Sequence, residues 1–151
     1  GVLCSSTSIR QSVAAGDLKS AARMLGRSFE VMGTVVTGHR RGRPIGFPTA
    51  NLAVENQLLP PAGVYAAFAS LANEPGARYL TVVNIGYAPT FGESQPISVE
   101  AHLLDFSGDL YGLAMRLALL EPIRKEQTFD SVQALKEQIS RDVRRAREVL
   151  S

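Results

Sequence analysis

The sequence predicts a mainly β protein: an antiparallel barrel of five or six strands, a C-terminal α-helix and a short helical N-terminal segment. Three observations carry this. From Phe29 onward the chain runs through Val-, Thr- and aromatic-containing stretches, each bounded by Gly, Pro, Asn or Asp. No long helical pattern separates these stretches, so a parallel sheet with helical crossovers is disfavoured. The clearest helical period is confined to Ser131–Leu150.

The elements follow in order. Residues 8–26 read as short helices, with Gly16-Asp17 ending one and capping the next and Gly26 suited to the C′ position. Leu18, Ala21, Ala22 and Leu25 make one helix face. The segment is too short to hold a core, so residues 1–28 are expected to be a helical linker and residues 29–151 the folded domain. Strand-like runs begin with "FEVMGTVVTG" at Phe29 and continue with "GVYAAFASL" (Gly63–Leu71) and "RYLTVVNIGY" (Arg78–Tyr87). "ISVEAHLLDF" (Ile97–Phe106) and "LAMRLALLEPI" (Leu113–Ile123) complete them. In the last segment Val132, Leu135, Ile139, Val143, Ala146 and Leu150 recur at helical spacing. Asp130 with Gln133 resembles a capping box there, and Phe129 is placed to staple onto Ala134.

Composition excludes several classes. With 151 residues, 45% hydrophobic and 20% charged, the chain suits one globular domain rather than a disordered region. A formal charge of +2 is too mild to argue for nucleic acid. Its placement says more, because Arg40, Arg41 and Arg43 fall within four residues. The second basic run, Arg141, Arg144, Arg145 and Arg147 with Asp142 and Glu148 among it, reads as a solvated helix face. A single cysteine, Cys4, excludes an internal disulfide and a Cys-rich zinc site. No apolar run approaches the roughly 18–20 residues of a membrane span, and no signal peptide is visible, so the cytoplasm is the expected compartment.

Four stretches could carry chemistry. In "GHRRGRPIG" (Gly38–Gly46) glycines can turn backbone N–H groups inward, and arginines bring forked donors that match phosphate oxygens. A solvated basic turn is the other reading. The loop runs into "FPTAN", where Thr49 and Asn51 lie two apart on an extended backbone and face one side. A hydroxyl and an amide oxygen so placed can share one hard cation, weakly until polyphosphate adds charge; alternatively they hydrogen-bond a turn.

In "SVEAHLLDF", alternation puts Glu100, His102 and Leu104 on one face and Val99, Ala101 and Leu103 on the other. A half-buried carboxylate there is costly unless paired or used; otherwise Glu100 sits on the wet face of the barrel. His102 reads as a structural histidine. "VNIGYAPTFG" (Val83–Gly92) suggests a strand turning into a loop, with Tyr87 and Phe91 as flat surfaces for a ring or as aromatic plugs. "RKEQTFDS" sets Arg124 and Phe129 just before the last helix, where they border a pocket or lie on the surface.

Taken together, "GRPIGFPTANL", "PAGVYA", "VVNIGYAPTFG", "VEAHLLDF", "DLYG" and "IRKEQTFDSVQALKEQI" resemble the riboflavin kinase (flavokinase) module, in order from about Val31 to Leu150. The resemblance implies a six-stranded Greek-key barrel and transfer of phosphate from ATP to riboflavin, giving FMN and ADP, with Mg²⁺. It implies that Thr49 and Asn51 bind metal and phosphates and that Glu100 is the base for the ribityl 5′-hydroxyl. Gly38, Gly42, Arg43, Gly46 and Pro48 would lie against ATP, with Asn84 as a nucleotide contact and Arg124 and Phe129 by the flavin ring. "CSSTSIR" (Cys4–Arg10) is similar to the last motif of the flavin adenylyltransferase domain that precedes this module in bacterial bifunctional enzymes. The rest of that domain is missing, so FMN adenylyltransferase activity is not expected and Ser5, Ser6 and Arg10 are assigned none.

Two rival readings remain. A small basic barrel can bind single-stranded nucleic acid, but Trp is absent and the strands show no stacking row of aromatics. A non-catalytic flavin-binding barrel would have no use for Glu100.

Overall fold

The computed structural model describes residues 6–37, 49–55, 59–74, 76–87, 97–104, 110–125 and 131–150. Six strands, β1 (Phe29–Thr37), β2 (Thr49–Val54), β3 (Gly63–Leu71), β4 (Tyr79–Tyr87), β5 (Ile97–Leu103) and β6 (Ala114–Lys125), join three helices, α1 (Ser6–Ala14), α2 (Leu18–Leu25) and α3 (Val132–Leu150). All strand pairs are antiparallel, and the order β1-β2-β5-β4-β3-β6 closes on itself. β3, β4 and β5 form a meander and β6 returns beside β3, which is a Greek key. Closure leaves no open sheet edge among the described strands.

Alternation sorts the strand residues. Val31, Val35, Leu52, Ile85, Leu103 and Leu117 point inward and are all but fully buried. Ala50, Ala67, Ala69 and Ala101 share that interior, since a barrel this narrow takes large side chains only when small ones face them. Gly33 answers the same crowding in the backbone: a Cβ there would sit 2.5 Å from the Ala53 carbonyl oxygen. At the "DLYG" segment, Leu113 N–H donates to the Leu110 carbonyl at 3.2 Å across a turn with Gly112 at φ 81°. Gly112 N–H donates in turn to Val35 O at 2.8 Å, tying the turn to β1.

The N-terminal helices form as their caps predict. Asp17 accepts from Ser20 N–H at 3.1 Å, and Gly26 adopts φ 74° while donating to Ala22 O. Val13, Leu18 and Ala21 on these helices are buried in the same cluster as the barrel interior. Two faint helical segments reach a core by borrowing one.

Helix α3 packs on the outside of the barrel. Ile139, Val143 and Ala146 cover Val64, Ala66, Val82 and Leu104. Its start differs from the expected Asp130–Gln133 box. Ser131 Oγ accepts from Ala134 N–H at 3.1 Å, the N-cap to N3 spacing of a helix beginning at Val132. Gln133 instead reaches Glu137 at 3.4 Å; Phe129 and Asp130 lie outside the described residues. Asp142 also departs from the solvated-face reading. Arg141, Arg144, Arg145, Arg147 and Glu148 are exposed, whereas Asp142 is 2% exposed because it points at the barrel with its neighbour Val143.

Candidate active site

Three of the sequence-predicted residues meet on the outer face of the sheet. Pairing sets Asn51 of β2 opposite Glu100 of β5, and Glu100 opposite Asn84 of β4. Residues directly opposite in antiparallel strands share a face. Asn51, Glu100 and Asn84 therefore stand in one row, all half-buried. Behind them Ala50, Val83, Val99 and Ala101 are buried at 0–1% exposure, so the row rests on a packed wall. β2 begins at Thr49, paired with His102, so the Thr-x-Asn pair lies on extended backbone and not in a turn. Positions spanning about a third of the sequence are thus made neighbours by strand register.

The row continues across the sheet to Val64 of β3, opposite Asn84, and then to Arg124 of β6, opposite Val64. Val64 is buried under α3, which ends the accessible stretch. Arg124 is consequently set apart from Glu100. Its Nε and Nη2 donate to the two carboxylate oxygens of Asp142, each at 2.9 Å, and its Nη1 donates to Lys125 O at 3.1 Å. Gln138 Nε2 adds a bond to Asp142 Oδ1 at 3.0 Å. The pair is well enclosed, with side-chain exposures of 17% and 2%. Asp142 and Gln138 were not legible as partners of Arg124. The available signal was a carboxylate on the apolar stripe of the helix, three residues after Ile139 and four before Ala146.

His102 lies two residues from Glu100 on the same face, opposite Val82 of β4, and is 5% exposed. Burial pushes its pKa down to about 4, partly opposed by the nearby Asp142 carboxylate. It is therefore a neutral imidazole near pH 7, in keeping with the structural class the sequence suggested.

Asn84 carries a different signal. Its side-chain oxygen Oδ1 is buried and has no hydrogen-bond partner among the described residues. Among the described residues no group of three or more His, Cys, Asp or Glu could hold a metal. A cation here would need neutral oxygens of the Thr49 and Asn51 type, completed by a ligand's own charge. Gly38, Gly42, Arg43, Gly46 and Pro48, expected against ATP, and Phe129, expected by the flavin, lie outside the described residues.

Comparison with known proteins gives the same direction. The chain is 41% identical over 145 residues to the bifunctional riboflavin kinase/FMN adenylyltransferase of Bacillus subtilis, aligning 94% of this chain with 45% of that one. It thus spans about half the length of the curated relatives it matches. Among solved structures it superposes on a chain described as a macrolide-efflux protein from Streptococcus pneumoniae, with TM-score 0.85, 34% identity, and 95% of this chain against 46% of that one. It also superposes on riboflavin kinase from Trypanosoma brucei, with TM-score 0.61, 28% identity, and 80% against 76%. Those two descriptions differ, so the structural likeness carries the fold and the family rests on sequence. The family model described as "Flavokinase: Riboflavin kinase" matches residues 25–150, a span that takes in every strand of the barrel, the Asn51–Glu100–Asn84 row and α3. By that match the chain belongs to the riboflavin kinase family.

Proposed function

We propose that this chain transfers the γ-phosphoryl group of ATP to the ribityl 5′-hydroxyl of riboflavin, giving FMN and ADP. The observation that carries the reading is Glu100, a half-buried carboxylate flanked by two amide side chains on a rigid face of the barrel. Family membership supports the same substrate.

Phosphoryl transfer asks the protein for position and charge stabilisation more than for covalent chemistry. A primary alcohol attacks poorly until its proton has an acceptor, and one positioned carboxylate contributes about 10²–10⁴-fold. Glu100 is that acceptor. Val99 and Ala101 on either side of it are buried, so the strand cannot rotate the carboxylate away without opening the core. Thr49 and Asn51 would hold Mg²⁺ together with the ATP phosphates, both being neutral oxygen donors suited to a hard cation. When bound, the metal supplies positive charge to the phosphate oxygens. Gly38, Gly42, Arg43, Gly46 and Pro48 would line the phosphate side. Arg124 and Phe129 would border the flavin, Arg124 by anchoring α3 to β6 through Asp142. The adenylyltransferase step of the longer relatives is assigned to the part of those proteins that this chain does not match.

The test is direct. Purified chain incubated with riboflavin and MgATP should yield FMN and ADP in equal amounts by chromatography, with no FAD on long incubation. Absence of FMN at saturating substrates would overturn the proposal, and FAD formation would overturn the assignment of its end point.

A further inference from the structure

A buried polar atom without a partner is uncommon, because leaving it unmet costs free energy that folding rarely tolerates. Asn84 Oδ1 is such an atom. Its place in the row explains why the adjoining strands do not satisfy it. On one side stands Glu100, a carboxylate that when ionised only accepts, and on the other Val64, which offers no side-chain donor. A donor for it is thus not found among the described side chains of the row, which leaves the atom available to one from outside the sheet.

The row also gives that donor a side. Asn51 stands on the β2 flank of Glu100 and Asn84 on the β4 flank. In phosphoryl transfer the attacking and leaving oxygens lie roughly in line through phosphorus. With the ATP phosphates on the Asn51 flank, the β4 flank is left for the acceptor alcohol. Adjacent strands are about 4.8 Å apart, so hydroxyls on neighbouring carbons of one chain can reach Glu100 and Asn84 together.

We propose that Asn84 Oδ1 accepts a hydrogen bond from a hydroxyl of the acceptor's polyol chain, the one next to the hydroxyl that Glu100 deprotonates. This rests on the kinase reading and refines it. Asn84 becomes a specificity-determining residue for the acceptor, where the sequence resemblance had placed it against the nucleotide. A site built to bond a hydroxyl discriminates strongly against an analogue lacking it, since the buried acceptor is then left unmet.

Riboflavin and 4′-deoxyriboflavin, compared on wild type and Asn84→Leu, test this. Two readouts are taken: kcat/KM for each flavin, and flavin binding without ATP by fluorescence titration. Wild type should prefer riboflavin by at least about tenfold in both. Asn84→Leu should abolish the preference while leaving the KM for ATP unchanged. Its melting midpoint should be equal or higher, because the group removed had no partner. Retention of the preference in Asn84→Leu would overturn the proposal. So would a raised KM for ATP with the preference intact, the mark of a nucleotide contact, or a lowered midpoint with equal loss on both flavins, the mark of a structural role. Failure of the kinase reading looks different: a wild type that binds and discriminates the two flavins but forms no FMN would sink that reading and leave the contact in place.

Discussion

Glu100 and His102 stand two residues apart on the same outer face of β5, and their surroundings differ because α3 reaches only one of them. Glu100 lies in the row with Asn51 and Asn84, which none of the packing residues of α3 covers, and stays half-buried. His102 is 5% exposed, close to Asp142 of the helix, and is held neutral. The covered region has met its polar needs internally, through the bidentate Arg124–Asp142 pair and the Gln138 bond. Beyond the helix, Asn84 Oδ1 has no partner among the described residues. On one sheet face, then, helix cover separates titratable groups that serve packing from those left available for chemistry.

The contrast breaks most severely at Asp142. Asp142→Ala should destabilise the fold by about 3–5 kcal/mol in denaturant titration, since it leaves a largely buried guanidinium without its carboxylate. A loss below about 1 kcal/mol would mean that the pair is not what anchors α3.

His102 gives the next effect, through pH. Its folded pKa of about 4 lies below the ordinary value near 6.5, so the unfolded chain binds the proton more readily between those limits. The contribution of the neutral imidazole is thus fully present above pH 6.5 and is lost as pH falls towards 4. The loss amounts to about 3 kcal/mol, levelling off below the folded pKa. Unfolding free energies measured from pH 7 to 4 should show it, and His102→Asn should flatten the profile over that window.

Glu100 should respond in the opposite sense, in rate rather than stability. Glu100→Gln keeps the shape and cannot take the proton, so kcat should fall by about 10²-fold or more with flavin binding and melting midpoint little changed. Wild-type kcat in this variant would return Glu100 to the wet surface of the barrel.

The smallest expected change is at Ser131, whose hydroxyl caps α3. Ser131→Ala should cost about 1 kcal/mol, read as a modest drop in melting midpoint. If Asp130 capped the helix instead, Asp130→Ala would carry the loss and Ser131→Ala none.

Much of the architecture was legible because its signals are local. "GVYAAFASL" is bounded as β3 is, residue for residue, since glycine opens it and a turn follows its apolar run. Asp17 and Gly26 were recognisable as caps because a carboxylate before a helix and a glycine after it answer unmet backbone groups within one turn. At the start of α3 Asp130 and Ser131 are both competent caps by sequence, and it is Ser131 that the structure shows accepting from the first turn. Residues 1–28 read as a linker because Val13, Leu18 and Ala21 make no core of their own, and only the barrel gives those side chains one to join.

The sequence by itself determined which residues of β5 face outward, for a period of two belongs to the extended backbone and places Glu100, His102 and Leu104 together wherever the strand lies. It also determined the family, since the order and spacing of the motifs survive without any fold. Only the tertiary structure decided that Asn51 and Asn84 flank Glu100, because register between strands far apart in sequence is set when the barrel closes and leaves no trace in local pattern. It alone decided that Asp142 reaches Arg124 and shelters His102. Helical periodicity locates a face to within about a residue, and whether a charge at its margin meets water or a partner depends on what the opposite surface presents.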